Sequence, residues 1–519
     1  MVRTTLRQEG LVDQLALSNC QLTIIGEQGN LKERILTMGS QLGVKKVQIK
    51  NELEESNDSD ILIFLGSSLP KAKPNSKYLR VLLLDDGVRV TTDLDAEGGT
   101  PSKLQEPGLC TIAAALTWQE VLKLEKLILP VEIPKKYITI NLRVNPSNLL
   151  DADSVEDSLK LIGSNGVPLS FKVQSRNDGT GHMILQTRID EGEPLADLIF
   201  QSIKIVPKTK VEKTYTSEIE IHIPRCDGKI SGSFIVAGVG GLGSWAMHSI
   251  MHGVAESGSD GNGLDIHLVD PDLKVEIHNL NRQILYSHND LGHPKAAIAA
   301  QKVRTILPGA NVKSYNDAIG LPHLDAFSYE LLDEDLFHHD EQISEEEFPE
   351  FSSFSLDLQN ALGSANVILS GVDNLRSRSI LNAISSHLGI PMVNAGAAGF
   401  VGNFDIFLDN QSCMICRYGR KAITQLQTMS CQEDGEVPFS SIVTSTALFG
   451  ALEGLAIISA LSPLEESLEN WPSQIIWSGW QNKITCNDNH KLGQFNEVFS
   501  KYGTHSEHLR DLLFEEELE

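Results

Sequence analysis

FIVAGVGGLG (Phe234–Gly243) runs an apolar strand straight into a glycine turn, and SWAMHSIMHGV (244–254) continues with a helix-compatible pattern. Strand, glycine turn and helix in that order build a nucleotide site. Glycine lets the backbone approach phosphate, and the N-terminus of a helix attracts anions. Gly238, Gly240, Gly241 and Gly243 are therefore expected to line a nucleotide. A second strand, LDIHLVD (264–270), ends on Asp270, whose carboxylate can accept hydrogen bonds from ribose hydroxyls. The polar stretch AESGSDGNG (255–263) accounts for its late arrival as a surface insertion. Dehydrogenases and methyltransferases use the same device, so the turn alone does not name a reaction.

The segment after Asp270 narrows the chemistry. DPDLKVEIHNLNRQ (270–283) and HPKAA (293–297) place Asp272, Asn281, Arg282, Gln283 and Lys295 close together in sequence. Two cations and two amides beside a triphosphate suit phosphoryl or nucleotidyl transfer, where charge developing on phosphate oxygens needs pre-placed donors, often with magnesium. A dehydrogenase has no use for them. Further on, NVILSGVDN (366–374) reads as an apolar strand with Asp373 at its carboxyl end, where ligands of parallel sheets sit. The same sequence also allows Asp373 to cap the following helix.

GVGGLG, VEIHNLNRQ, HPKAA and GVDN, in that order, resemble the ThiF/MoeB/ubiquitin-activating enzyme superfamily over about residues 230–490. The resemblance implies an α/β fold and ATP-dependent adenylation of the C-terminal carboxylate of a ubiquitin-like protein. It makes Asp373 the organiser of Mg2+ and required for adenylation. It also implies a nucleophilic cysteine in the polar loop before the closing helix, which here is Cys431 in QTMSCQEDGEVPFSS (427–441). A thiolate there would exchange the acyl-adenylate for a thioester. The neighbouring Glu433, Asp434 and Glu436 would raise its pKa, and GEVPF departs from the family's more apolar sequence after the cysteine. Conjugation would then pass the acyl group to a conjugating enzyme. A sulfur-carrier adenylyltransferase of the ThiF or MoeB kind and a peptide-modifying adenylase remain the alternatives.

Residues 1–130 read as a worn copy of the same fold. QLTIIG (21–26), SDILIFLG (59–66) and RVLLLDD (80–86) are strand-like, and TIAAALTWQEVLKLEKLI (111–128) is helix-like, matching SSIVTSTALFGALEGLAIISAL (440–461) in the second half. The chemistry is missing. Lys50 and Asn51 stand where an acidic ribose partner belongs, and no Asn-Arg-Gln run follows. An unrelated Rossmann-like domain remains the other reading. If the copy is real, the chain holds an inactive and an active half, similar to eukaryotic ubiquitin-activating enzymes and to the ubiquitin-like conjugation systems of some bacteria, including antiphage operons. The family's opening Arg-Gln pair has its match in Arg7 and Gln8, with Arg3 second. In the family such an arginine crosses to the ATP phosphates. An ordinary surface arginine reads the same way.

The expected order is thus an inactive adenylation-like domain (1–130), a β-rich domain (131–227), an active ThiF-type domain (228–490) and an acidic tail (491–519). SVEDSLKLIG (154–163) is read as the one helix of the β-rich part, and SEIEIHI (217–223) as one of its strands. AGAAG (395–399) offers either a slot for a glycine-ended substrate tail or close strand packing.

A net charge of −26 argues against a general nucleic-acid or anionic-membrane binder. No apolar run is read as long enough to span a bilayer, the N-terminus has no signal-peptide core, and the seven scattered cysteines fit a reducing cytosol. Cys413 and Cys416 form CMIC, and with Cys486 and His490 they could hold a structural Zn2+; buried thiols are the alternative. The expected ligands are ATP and Mg2+. The expected partners are a ubiquitin-like protein, a conjugating enzyme and, in a homodimer, a second copy of the chain.

Overall fold

The structure, a computed structural model, describes residues 8, 11–26, 29–52, 60–68, 76–129, 218–226, 228–319, 354–409, 411–418, 441–463, 468–480, 482–488 and 490, with strand backbone only between 131 and 207. The first half runs α1 (Gln14–Asn19), β1 (Gln21–Ile25), α2 (Gly29–Leu42), β2 (Lys46–Lys50), β3 (Ile61–Leu65), β4 (Lys77–Leu84), β5 (Gly87–Thr91) and α3 (Glu106–Leu124). Short strands follow: β6 (Val131–Pro134), β7 (Leu159–Gly163), β8 (Pro168–Leu169), β9 (Lys172–Ser175), β10 (Gly181–Ile184), β11 (Ser202–Pro207) and β12 (Glu218–His222). The second half runs β13 (Gly232–Ala237), α4 (Gly241–Glu256), β14 (Leu264–Val269), α5 (Lys295–Ile306), β15 (Asn311–Tyr315), α6 (Leu356–Ser364), β16 (Val367–Ser370) and α7 (Leu375–Leu388). It closes with β17 (Met392–Ala398), β18 (Val401–Phe407), α8 (Met414–Tyr418), α9 (Val443–Ala460), β19 (Gln474–Ser478) and β20 (Lys483–Asn487).

Two mixed sheets organise the chain. The first has the order β2-β1-β3-β4-β5-β12 and the second β15-β14-β13-β16-β17-β18-β19-β20. In each, the first strands are parallel and the last ones antiparallel. Central strands such as β3, ILIFL, are apolar at every position because both faces are covered. The two orders superpose strand for strand, with β1 on β13, β2 on β14, β3 on β16 and β4 on β17. The turns agree as well. The Gly26 N–H donates to the Lys50 carbonyl at 3.1 Å and the Gly238 N–H to the Val269 carbonyl at 2.7 Å, so Asn51 occupies the place of Asp270.

Three expectations need correction. SVEDSLKLIG is not a helix over its second part, because Leu159–Gly163 alternates apolar residues and pairs with β11. SEIEIHI does not belong to the inserted strands. β12 pairs with β5 and closes the first sheet, so the insertion ends before residue 218. A helix of membrane-spanning length and apolarity does exist: Val443–Ala460, whose hydropathic window is 94% buried. It is α9, packed against α3 and α4, so its apolarity serves a protein interior.

The halves share one apolar core through these helices. Gln119 of α3 donates to the Gly479 carbonyl at 2.7 Å and accepts from Thr444 at 2.9 Å. Asn482 donates to the Leu116 carbonyl and to Glu120.

Glu453, in the middle of α9, is fully buried, and burial pushes its carboxyl well above the usual carboxylate range, with Arg378 opposing. A carboxyl raised in the folded state loses stability as pH climbs from its ordinary value of 4.5 toward the folded value. Glu453→Gln removes that slope. Relative to wild type, the variant is expected to gain up to about 1.4 kcal/mol per pH unit across that window. Denaturant titrations at pH 5 and pH 7.5 check this, and equal pH slopes in both proteins would show the group ionised in the fold.

Candidate active site

The carboxyl ends of β13, β14 and β16 converge where the strand order reverses. Gly238 turns the chain at φ +86°, and a Cβ there would lie 2.7 Å from the Gly371 carbonyl oxygen. A Cβ on Gly243 would fall on the Gly238 carbonyl oxygen. These glycines let α4 start directly against the strand ends. Gly240 caps α4 without any side-chain bond to its first turn.

Asp270 follows β14 and is buried. Its Oδ2 accepts the Val239 N–H at 2.8 Å and its Oδ1 the Asp272 N–H at 3.0 Å. Burial raises its pKa, against Lys295 and the two N–H donors. The residue expected to hold ribose therefore also fixes the glycine turn. Lys295, at the start of α5, forms an ion pair with Asp272. A buried ammonium needs a counter-charge, and Asp272 supplies it.

The Asn-Arg-Gln run packs against the turn. Arg282 Nε stands 3.9 Å from the Cβ position of Gly241, and Gln283 Nε2 3.8 Å from that of Gly240. Arg282 Nη1 donates to the His278 carbonyl at 2.9 Å and to Asn281 Oδ1 at 3.3 Å, while its own carbonyl accepts from Trp245 Nε1 at 2.9 Å. Asn281 and Gln283 are each 2% exposed, yet Nδ2 of the first and Oε1 of the second have no partner. Buried polar atoms are normally satisfied, so such orphans point to a ligand.

Asp373 is exposed at the end of β16. The cap of α7 belongs to Asn374, whose side chain accepts the Ser377 N–H at 2.7 Å, so Asp373 does not spend its carboxylate there. Two residues escaped the sequence reading. Arg378 donates through Nε and Nη2 to the Val372 carbonyl at 3.0 and 2.8 Å, fixing the backbone before Asp373. Tyr286 donates to the carbonyls of Val239 at 2.9 Å and Lys295 at 3.3 Å, and burial keeps its hydroxyl protonated. A lone aromatic after Ile284 and Leu285 was its only signal.

Cys431, Arg7 and Arg3 lie outside the described residues. Gln8 is described and buried, donating to Gln14 and to the Leu42 carbonyl within the first half. The three described zinc candidates are not gathered. Cys413 is buried in the apolar core beside α7, Cys486 is exposed on β20, and His490 bonds the Trp471 carbonyl at 2.8 Å. Among the described residues no three potential ligands lie together; the Cys416 side chain falls outside them. At Gly396 a Cβ would lie 2.6 Å from both Arg378 Nη1 and Asn403 Oδ1, so these side chains pack closely on that glycine.

The ThiF family profile matches residues 229–490. The chain belongs to the ThiF family. The chain is 25% identical over 241 residues to "Adenylyltransferase and sulfurtransferase MOCS3" of Arabidopsis thaliana, covering 46% of this chain and 41% of that protein. It is 24% identical over 256 residues to the sulfur carrier protein ThiS adenylyltransferase of Escherichia coli K12, covering 48% of this chain and 82% of that one. The chain thus spans about two fifths of the length of the Arabidopsis relative. Among solved structures, E. coli MccB with ATP aligns at a TM-score of 0.34 with 16% identity, over 50% of this chain and 63% of that chain.

Proposed function

We propose that this ThiF-family protein uses ATP to adenylate the C-terminal carboxylate of a ubiquitin-like protein and then takes the acyl group onto Cys431. The observation that carries the adenylation step is the pair of orphaned, buried amide atoms on Asn281 and Gln283, beside Arg282 at the glycine turn. Asn281 Nδ2, with Arg282 and Lys295, supplies donors for phosphate oxygens, whereas Gln283 Oε1 is an acceptor and suits a hydroxyl or N–H of the nucleotide. Asp270 receives the ribose, and the N–H groups opening α4 face the phosphates.

The terminal carboxylate oxygen attacks the α-phosphorus, the bond to the β-bridging oxygen breaks, and pyrophosphate leaves. Arg282 and Lys295 hold the oxygens on which charge gathers, and the Arg378 clamp on Val372 sets the direction of Asp373. Asp373 fits Mg2+ because it is exposed at a strand end and not used as a cap; the ion, when bound, supplies charge neutralisation between phosphates. The Cys431 thiolate then attacks the acyl carbon, AMP leaves and a thioester remains, ready for a conjugating-enzyme cysteine. Arg7 is the proposed visitor from the N-terminal segment.

The first half is proposed to be an inactive duplicate. Its support is the shared strand order and the replacement of Asp270 by Asn51 at the equivalent turn. The names of both relatives favour a second reading, in which a sulfur carrier is adenylated and sulfur, not a protein, is passed onward. An ATP–pyrophosphate exchange assay dependent on an added carrier tests adenylation in either case. No exchange with any ubiquitin-like protein or peptide would sink both readings. A DTT-sensitive conjugate on a non-reducing gel separates thioester transfer from adenylation alone.

A further inference from the structure

One strand of the second sheet outruns the nucleotide site. β13, β16 and β17 are parallel, so their carboxyl ends share one edge of the sheet. Ser370, the last residue of β16, lies opposite Asn394, and β17 continues past it to Ala398 before the chain returns as β18. This overhang runs beside Asp373. Arg378, which holds the Val372 carbonyl, has its Nη1 2.6 Å from the Cβ position of Gly396. A projecting hairpin is marginal in water unless something packs on it. Here the cover comes from the turn between β19 and β20. The Gly479 N–H donates to the Phe400 carbonyl at 2.6 Å, and the Trp480 ring meets the Phe400 ring edge-on at 5.2 Å. Phe400, in the β17–β18 turn, is 2% exposed as a result.

The first half holds that covering turn. Gln119 of α3 is wholly buried, and its Nε2 donates to the Gly479 carbonyl while its Oε1 accepts from Thr444. Asn482 sits at φ +49°, a left-handed conformation that asparagine adopts more readily than most residues. Its buried amide is used in full. Nδ2 donates to the Leu116 carbonyl at 3.0 Å and to Glu120 at 2.9 Å, and Oδ1 accepts from Trp477 Nε1 at 2.8 Å. Gly479 leaves no slack between the two sides. A Cβ there would lie 2.9 Å from the Phe400 carbonyl oxygen and 3.0 Å from Gln119 Nε2. A satisfied buried polar network of this kind fixes one geometry.

We propose that Gln119 and Asn482 are positioning residues, through which the first half sets the β17–β18 tip for the incoming protein or peptide whose carboxylate is activated. α3 holds the β19–β20 turn, that turn holds Phe400, and Phe400 fixes the end of the overhang. β16 lies between β13 and β17 in the sheet, so Asp373 separates the glycine turn from the overhang. ATP belongs to the glycine-turn side. A chain whose terminus comes in on the other side runs alongside the overhang. The positioning part rests on the adenylation reading above; the contacts from α3 to Phe400 do not.

The test uses the full chain with Asn482→Gly, which keeps the backbone conformation and deletes the amide, and Gln119→Met, which keeps the volume and deletes both polar bonds. In each, the backbone around Phe400 and Trp480 is expected to exchange hydrogen about tenfold faster or more while α4 keeps its protection. In pyrophosphate exchange driven by an added ubiquitin-like protein or peptide, the concentration of that substrate giving half the maximal rate should rise at least about tenfold, whereas that of Mg2+-ATP should stay within about twofold. Unchanged protection around Phe400 in both variants overturns the contacts from α3. A loosened tip with an unchanged half-saturating substrate concentration overturns the positioning role. So does a parallel rise for ATP or a loss of protection in α4, which marks general destabilisation. If wild type shows no exchange with any such substrate, the adenylation reading and the positioning role fail together, and hydrogen exchange alone decides whether α3 holds the tip.

Discussion

Asp373→Ala is expected to abolish pyrophosphate exchange, lowering it about a thousandfold or more, which corresponds to about 4 kcal/mol of lost transition-state stabilisation. The size follows from the position. Asp373 leaves the carboxyl end of β16 into solvent, beside the place where the phosphates must lie if the glycine turn holds them. Its carboxylate is not spent on capping, so stability should change by no more than about 0.5 kcal/mol. Asn374→Ala is the matched control. It removes the real cap of α7, costs about 1 kcal/mol of stability and leaves exchange measurable. The thermal midpoint and the exchange rate of both variants decide the matter. Exchange surviving in Asp373→Ala would remove this residue from the reaction and discredit the phosphate site.

The second large effect separates the two chemical steps. Cys431→Ala should keep pyrophosphate exchange and lose the DTT-sensitive conjugate completely, because adenylation needs no thiol and the thioester cannot form without one. The described cysteines limit the alternatives. Cys20, Cys110, Cys226 and Cys413 are buried, whereas Cys486 is exposed. Cys486→Ala is therefore the informative companion. A conjugate that persists without Cys431 and disappears without Cys486 would move the nucleophile to β20.

Much of this site could be read before any coordinates. Gly238 and Gly243 are forced by local geometry, since a turn between strand and helix leaves no room for a side chain. Asp270 and Asp373 were visible as acids closing apolar strands. The register of Gly26 with Lys50 confirms that the first half carries Asn51 where the second carries Asp270.

Other features had no sequence signature. Asp272 pairs with Lys295 across 23 residues, and Gln119 with Gly479 across 360. SEIEIHI alternates as any edge strand does, and nothing local says that its partner is β5 and not a nearer strand. The zinc candidates had acceptable spacing, but the fold places Cys413 in the core and Cys486 on an exposed strand.

By itself the sequence determined the ThiF character of residues 229–490, the place of the nucleotide turn and the acids that end its strands. Those properties depend on backbone sterics and on residues a few positions apart. Tertiary structure alone decided that Gln119 bonds Gly479 and Thr444 across the two halves, and that Asp405 gathers donors from two other strands and α8. The physical reason is desolvation. A buried charge must find its partners wherever packing brings them, and packing joins segments whose separation along the chain carries no signal.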